Sequence, residues 1–544
     1  MAILKSSSIL YASLVLLLTL AIVWNENVLQ SQLGDMQKID LNQITQVEGE
    51  FELEQDTPEY KVDSALFSQA INHGREGKPE LAIAIYQKIL SVHGNHQMAA
   101  INLAILLKKT QGCENSRALM EHAVLVSRAK RKAKAHALLA SCLSEMGEQR
   151  LALKHIGQSI LFRPNHGKTW LKQARMESLA KLPYTQVLGS YQKAMALDSK
   201  NKNLRLEVAG FQYQHLDFNG SIKTLKSKYK LLKSSIKANK LLAWSYLELG
   251  KVNNARKYAH RVKSLQSRVS VFSAAFDFYL DGKPEQSIAA IKVLKSKRGE
   301  NRYLLALNYQ HKKWPNHATT QLMNLKKSSQ YDYLSDWRLL QLKNKKLTDK
   351  QQISAYQNLL SQNIHKGRVA LEAAQVAKSQ NQIDSALKFI LLAKKTETIN
   401  KKMERLYGEL LWLSGEKIKA IDQLGFLNDH FSGSRIIKRQ LANYLSEQQR
   451  VSQALMVLAQ IHSSDLKNSD LILIATLLVK DGQLQDAIGN LLELLERDDK
   501  DIDARFMLAK LLKQSGDISA SKKQLGLLLA LAPTFKPAQQ MLAE

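Results

Sequence analysis

The stretch Leu508-Ala509-Lys510-Leu511-Leu512-Lys513-Gln514-Ser515-Gly516-Asp517-Ile518-Ser519-Ala520-Ser521 decides how the whole chain is read. Small residues at Ala509 and Ser521 stand on either side of a glycine turn signal. Large apolar residues at Leu512 and Leu525 keep them company. The same arrangement occurs three more times between Lys401 and Phe535. One small series is Gly408, Ala442, Ala475 and Ala509, and a second is Ala420, Ala454, Ala487 and Ser521. Large apolar residues recur at Leu411, Leu445, Leu478 and Leu512, and again at Leu424, Leu458, Leu491 and Leu525. Every series advances by 34, 33 and 34 residues. A period of about 34 marks an array of helix–turn–helix units, each of which buries its apolar face only on its neighbours.

The unit extends upstream. Asp63 to His96 carries Leu66 and Ala70, a Gly77-Lys78-Pro79 turn, then Ala82, Tyr86 and Ile89. The next runs to Lys132 with Ala104 and Ala118. Ala133 to His166 has Leu139, Ala140, Leu143, Gly147, Ala152 and Ile156, and closes on Pro164. Further on, small residues mark units at Ala243 with Gly250 and Ala255, Ala275 with Gly282 and Ser287, Ala306 with Ala318, and Ala374 with Ala386. Tyr333 to His365 is the poorest match. Eight prolines in 544 residues suit a helical chain, since proline breaks helix interiors.

On these residues the chain resembles the tetratricopeptide repeat. Trp170 stands at the family's unit position 4, Leu139-Ala140 at positions 7–8, and Tyr246 and Tyr309 at position 11. Tyr86 and Tyr191 stand at position 24, Ala194 at 27, and Pro164 and Pro533 at 32. The resemblance covers Asp63 to Phe535 and is weakest between Ser199 and Asn400. It implies an all-α solenoid, a right-handed superhelix of about fourteen units. The expected organisation is a cytoplasmic N-terminus at 1–5, a transmembrane anchor at 6–24 and an acidic flexible linker at 25–57. An irregular basic array follows at 58–400, a regular array at 401–535 and a capping helix at 536–544.

Ser6 to Trp24 has 19 residues without a charge, long enough to cross a bilayer core, with Trp24 placed as an interfacial anchor. A cleavable signal peptide is the other reading, but Asn25-Glu26-Asn27-Val28-Leu29-Gln30 offers no small-residue cleavage site. Lys5 precedes the span, while Asn25 to Tyr60 has one basic and nine acidic residues. Positive residues stay cytoplasmic. The array is therefore expected on the outer face of a bacterial inner membrane, in the periplasm. In that compartment Cys113 and Cys142, the two cysteines of the chain, can pair; as two small buried hydrophobes they need not.

The net charge of +29 is unevenly placed. Arg128 to Lys350 holds 44 Lys and Arg against 14 Asp and Glu, and the remainder is nearly neutral. A solvated lysine-rich surface explains this, and so does an anionic partner. The run Glu48, Glu50, Glu52 and Glu54 in the linker is a candidate to cover the basic stretch when no partner is bound.

No phosphate-binding loop, nucleophile elbow or zinc-protease helix is present. His93 and His96 have metal-ligand spacing but no acidic or cysteine companion, and read as loop histidines. No catalytic residue, cofactor or metal is expected. The resemblance places the binding surface on first-helix positions 2, 5, 9, 12 and 13. These fall on Lys168, Arg175, Lys237, Lys240, Trp244, Lys402, Arg405, Trp412, Arg439, Lys510 and Lys513. The Lys/Asn set by which some relatives clamp a peptide carboxylate is not found.

The function these features point to is a non-catalytic, membrane-anchored scaffold in a cell-envelope assembly or secretion complex, of the exopolysaccharide-export or pilus-biogenesis type. Its partner would be an acidic protein or an anionic polysaccharide. Direct binding of acidic polysaccharide is an alternative. A cytoplasmic adaptor or nucleic-acid-associated protein would need the reversed topology, and nucleic-acid-binding modules are not apparent. A carbohydrate enzyme hidden in the middle would need paired carboxylates, and its acids are few and scattered.

Overall fold

The computed structural model describes residues 63–543 apart from 229, 231–232, 266–270, 294–298, 327–331, 397–400 and 432–433. The expected anchor and acidic linker lie outside the described residues. Among the described residues, no helix is long and apolar enough to cross a membrane. The chain divides into two compact units, Met1–Leu106 and Leu107–Glu544.

In the first unit Asp63–Arg75 and Pro79–Val92 pack through Ala70, Ala82, Tyr86 and Ile89. Tyr86 accepts a hydrogen bond from Asn102 at 3.2 Å. His96 accepts from the Ala99 amide at 3.1 Å and stacks on Phe67. It therefore works as a helix cap.

In chain order the described helices succeed one another as fourteen helix–turn–helix units and a final helix, Lys536–Ala543. That last helix covers Ala509, Leu525 and Leu528 with Ala538, Met541 and Leu542. The small series mark close helix approach. Gly408 illustrates why, because a Cβ there would lie 3.3 Å from Leu424. The single 33-residue step also has a local cause. The second helix Val451–Leu458 has 8 residues against 14 in Lys417–His430, and a 3-10 turn, Ser463–Asp465, completes the connection.

The turn between the two helices of a unit takes a left-handed backbone residue. Glycine supplies it at 77, 112, 147, 250, 282, 415, 482 and 516, where the missing Cβ removes the steric penalty. Lys181, Leu216, Lys313, Asn381 and Gln449 fill the same position with φ between 55° and 66°. The remaining unit turns through the 3-10 helix Asn344–Lys346. A β-carbon at a left-handed position costs about 1 kcal/mol. Gln449→Gly is therefore expected to raise the unfolding free energy by about 1 kcal/mol, read as a higher urea midpoint.

The second unit closes on itself. Asn363, in the connection after the ninth helix–turn–helix, donates to the carbonyls of Lys181 (2.7 Å) and Leu182, and accepts from the Tyr184 amide at 2.9 Å. The His365 amide donates to the His215 carbonyl at 2.8 Å. These partners lie up to 182 residues apart. Tyr184 meets His365 edge-on at 5.6 Å and His215 lies 5.1 Å from Tyr333. A superhelical turn of about five units is thus latched.

The interior of that turn is filled. One core cluster runs from Ala209 to Leu410 and includes Phe218, Trp244, Phe276, Tyr303 and Trp337. At its centre the buried Glu248 carboxylate accepts from the Tyr303 hydroxyl at 2.7 Å and pairs with Arg338, whose Nε donates to the Tyr303 oxygen at 2.8 Å. Burial pushes the Tyr303 phenol well above its ordinary value. A cavity of about 30 Å³ remains beside Leu216, Phe218, Arg368 and Met403, room for one water.

Candidate functional site: the first-helix face

The first helices carry the residues that the sequence assigns to a groove. Their side chains fall into three groups. Trp244 is 6% exposed and packs against Phe276 at 5.0 Å and Tyr303 at 5.4 Å. It is a core residue, because the latched turn brings units together across the groove it would otherwise line.

A second group is engaged by the neighbouring repeats. Arg175 makes two hydrogen bonds to Glu207, at 2.7 and 2.6 Å, from one first helix to the next. Arg439 does the same to Asp470, at 2.9 and 2.7 Å, and adds the Asp465 carbonyl. Lys240 pairs with Glu300 at 2.8 Å, skipping a unit. Lys378 and Glu409 repeat the pattern. These charges hold successive first helices in register. Planar guanidinium–carboxylate pairs give geometry as well as energy.

The third group faces solvent. Lys168, Lys237, Lys402, Lys510 and Lys513 are exposed, and Arg405 is half-buried. Trp412 is half-buried and stacks on Tyr444 at 3.8 Å, with the Lys417 ammonium 5.1 Å from its ring centroid. Lys510 lies over Phe506 at 5.3 Å. One residue that the sequence reading missed belongs here. Ile436 is 60% exposed and holds the same register as Lys402, 34 residues earlier. An apolar residue at a first-helix surface position was the available signal.

Charge and burial are segregated across Arg128 to Lys350. Of its 14 carboxylates only Glu145, Asp281, Glu285 and Asp349 are exposed. The first three pair with Lys108, Arg256 and Lys312 at 2.6 to 2.7 Å. The acids are spent inside the fold and most of the lysines point outward. The surface is therefore more basic than the composition alone conveys.

Cys113 and Cys142 form a disulfide, with Cα atoms 5.2 Å apart. Cys113 follows the break at Gly112 in Gln97–Val126, and Cys142 lies on Ala129–Glu145. The bond ties one second helix to the next first helix. Arg117 and Glu148 pair beside it at 2.7 Å.

Nearby, His136 and His155 face each other, Nδ1 to Nδ1 at 3.0 Å. One of them carries its proton on Nδ1. Burial, then His155, then Lys132 push His136 down to about 4; burial also lowers His155, against which Glu121 acts in the opposite sense. The folded protein then binds fewer protons than the unfolded chain, whose histidines titrate near 6.5. Stability is complete above about pH 6.5 and is lost as pH falls toward 4. The melting temperature is expected to drop through that window, and less steeply in His136→Leu.

Among the described residues no group of three or more metal-ligating side chains converges. Residues 478–544 match the family model of the tetratricopeptide repeat. No protein of curated function matches the chain. Among solved structures, it is similar to the APC/C hetero-tetramer Cut9-Hcn1, at 14% identity over 88% of this chain and 95% of that one, with a TM-score of 0.42. It is similar to Naa15/Naa10 bound to HypK-THB, at 12% identity over 88% and 95%, with a TM-score of 0.31. It is also similar to MamA 41-end from Desulfovibrio magneticus RS-1, at 14% identity over 31% of this chain and 97% of that one, with a TM-score of 0.29. The repeats in the matched stretch are of the tetratricopeptide type, and the described residues form an all-helical array of helix–turn–helix units.

Proposed function

We propose that this chain is a non-catalytic scaffold, anchored in a bacterial inner membrane through residues 6–24, that gathers proteins in a cell-envelope assembly or secretion complex. Exopolysaccharide export and pilus biogenesis are the types of pathway it fits. The observation that carries the reading is the difference between the two parts of the array. Between 181 and 410 the turn is latched and filled with its own side chains. In the arm 401–531 the first-helix face keeps exposed Lys402, Ile436, Lys510 and Lys513 around the Trp412–Tyr444 stack. Aromatic and aliphatic anchors with a cationic surround suit an acidic segment with apolar side chains.

The disulfide supports an oxidising compartment and so the periplasmic side. A reporter active only in the periplasm, fused after Glu544, is expected to be active. Activity of a cytoplasm-only reporter would overturn the topology. With topology fixed, Ile436→Asp is expected to abolish capture of the partner recovered with the wild-type chain, without lowering its melting temperature. Undiminished capture would remove the arm from the proposal.

A further inference from the structure

In a stack of helix–turn–helix units, the turns within units line one edge and the connections between units line the other. From the second unit to the seventh, the between-unit edge has a composition of its own. Second helices there end in an exposed aliphatic residue: Leu125 (78%), Leu161, Leu197, Leu265 and Val293 (77%). Each stands at the C-terminal end or cap of its helix. Exposed cations accompany them: Arg163 near Leu161, Lys200 near Leu197, Lys263 near Leu265 and Lys292 beside Val293. Lys228 and Lys230 occupy the connection of the fifth unit. On the same edge Asp198 is half-buried and accepts a hydrogen bond from Asn201 at 2.8 Å.

Exposed aliphatic residues also end the second helices of the first and fourteenth units, Val92 (69%) and Leu531 (45%), but neither has a lysine or arginine within three residues, so the pairing of aliphatic residue and cation belongs to the basic stretch. In the thirteenth unit that edge has the buried Leu495, with Arg497 and Lys500 interspersed among Asp498, Asp499 and Asp501. Stacking of repeats therefore does not require an exposed aliphatic residue at this place. Solubility alone would be served by lysine without leucine.

An aliphatic residue and a cation, repeated at the roughly 10 Å spacing of packed helices, is the chemistry of a bilayer interface. Aliphatic side chains enter the headgroup boundary while lysine and arginine are drawn to anionic headgroups. A linear polyanion would use the cations but gain nothing from the leucines. We propose that the between-unit edge from Leu125 to Val293 docks on an anionic phospholipid surface, holding this part of the array edge-on against the membrane. The inference concerns this edge alone and does not depend on the anchor at 6–24.

The test uses the full chain, with an environment-sensitive fluorophore on Leu197→Cys and the native cysteines left in their disulfide. Vesicles are phosphatidylcholine carrying a brominated-lipid quencher, with or without phosphatidylglycerol. Quenching is expected only with phosphatidylglycerol and should fade at high ionic strength. A fluorophore on Leu492→Cys should stay unquenched. Lys228→Gln with Lys230→Gln should weaken the phosphatidylglycerol-dependent response by roughly 25-fold, at about fivefold per lysine. If the anchor alone attaches the chain, both vesicles recruit it and the Leu197 probe is indifferent to phosphatidylglycerol, which overturns the edge proposal and leaves the anchor standing. Binding of dextran sulfate without any quenching would assign the edge to a linear polyanion and overturn it too.

Discussion

Glu248→Ala is expected to cost about 3–5 kcal/mol and to melt the latched turn ahead of the rest of the array. The Glu248 side chain is fully buried and that of Arg338 nearly so. They belong to first helices 90 residues apart, joined through Tyr303 on a third. Removing one partner leaves the other charge buried and uncompensated, and this drives the loss. Replacing both with apolar residues of similar volume relieves it. Glu248→Leu with Arg338→Met should therefore recover most of the stability lost in Glu248→Ala. Chemical denaturation gives the totals. Hydrogen exchange in Lys202–Gln214 and Asp332–Lys343 shows where the opening occurs. Equal losses in the single and double variants would mean that the cluster works through shape, not charge.

Breaking the disulfide is the second large effect. Cys113 and Cys142 are separated by 29 residues. Closing a loop of about 30 residues restricts the unfolded chain by roughly 3–4 kcal/mol. Cys113→Ala with Cys142→Ala, or reduction of the wild type, should lower the unfolding free energy by about that amount. Cys142 is fully buried, so alanine is the substitution that adds no buried polar atom. A change below about 1 kcal/mol would show that the helices hold this junction without the bond.

The repeat was legible because its cause is local. Ala442, Ala475 and Ala509 are fully buried where first and second helices approach, and so are Ala420, Ala454 and Ala487. A side-chain period records that contact directly. Between Ser199 and Asn400 the pattern faded for two local reasons. Leu216, Lys313 and Asn381 stand where a glycine was expected, and one unit replaces the turn with Asn344–Lys346. The latch was not legible, since Asn363 and Lys181 meet through the curvature of a whole superhelical turn. Large aromatic residues at groove positions, Trp244 and Tyr303 among them, were the trace it left. The inter-repeat ion pairs of two groove candidates were hidden for a related reason. Arg175 and Arg439 sit at surface positions, but their acidic partners lie one repeat away, outside the reach of a single-helix pattern.

Cross-linking of native lysines in the full chain tests the latched turn most directly. Lys181 lies at the contact with Asn363, three residues before Lys366. A short amine-reactive linker should join Lys181 to Lys366, and the product should disappear in Asn363→Asp. An array that stays open, with Lys181 cross-linked only to its own and adjacent repeats, would contradict the closed turn and return the middle groove to solvent.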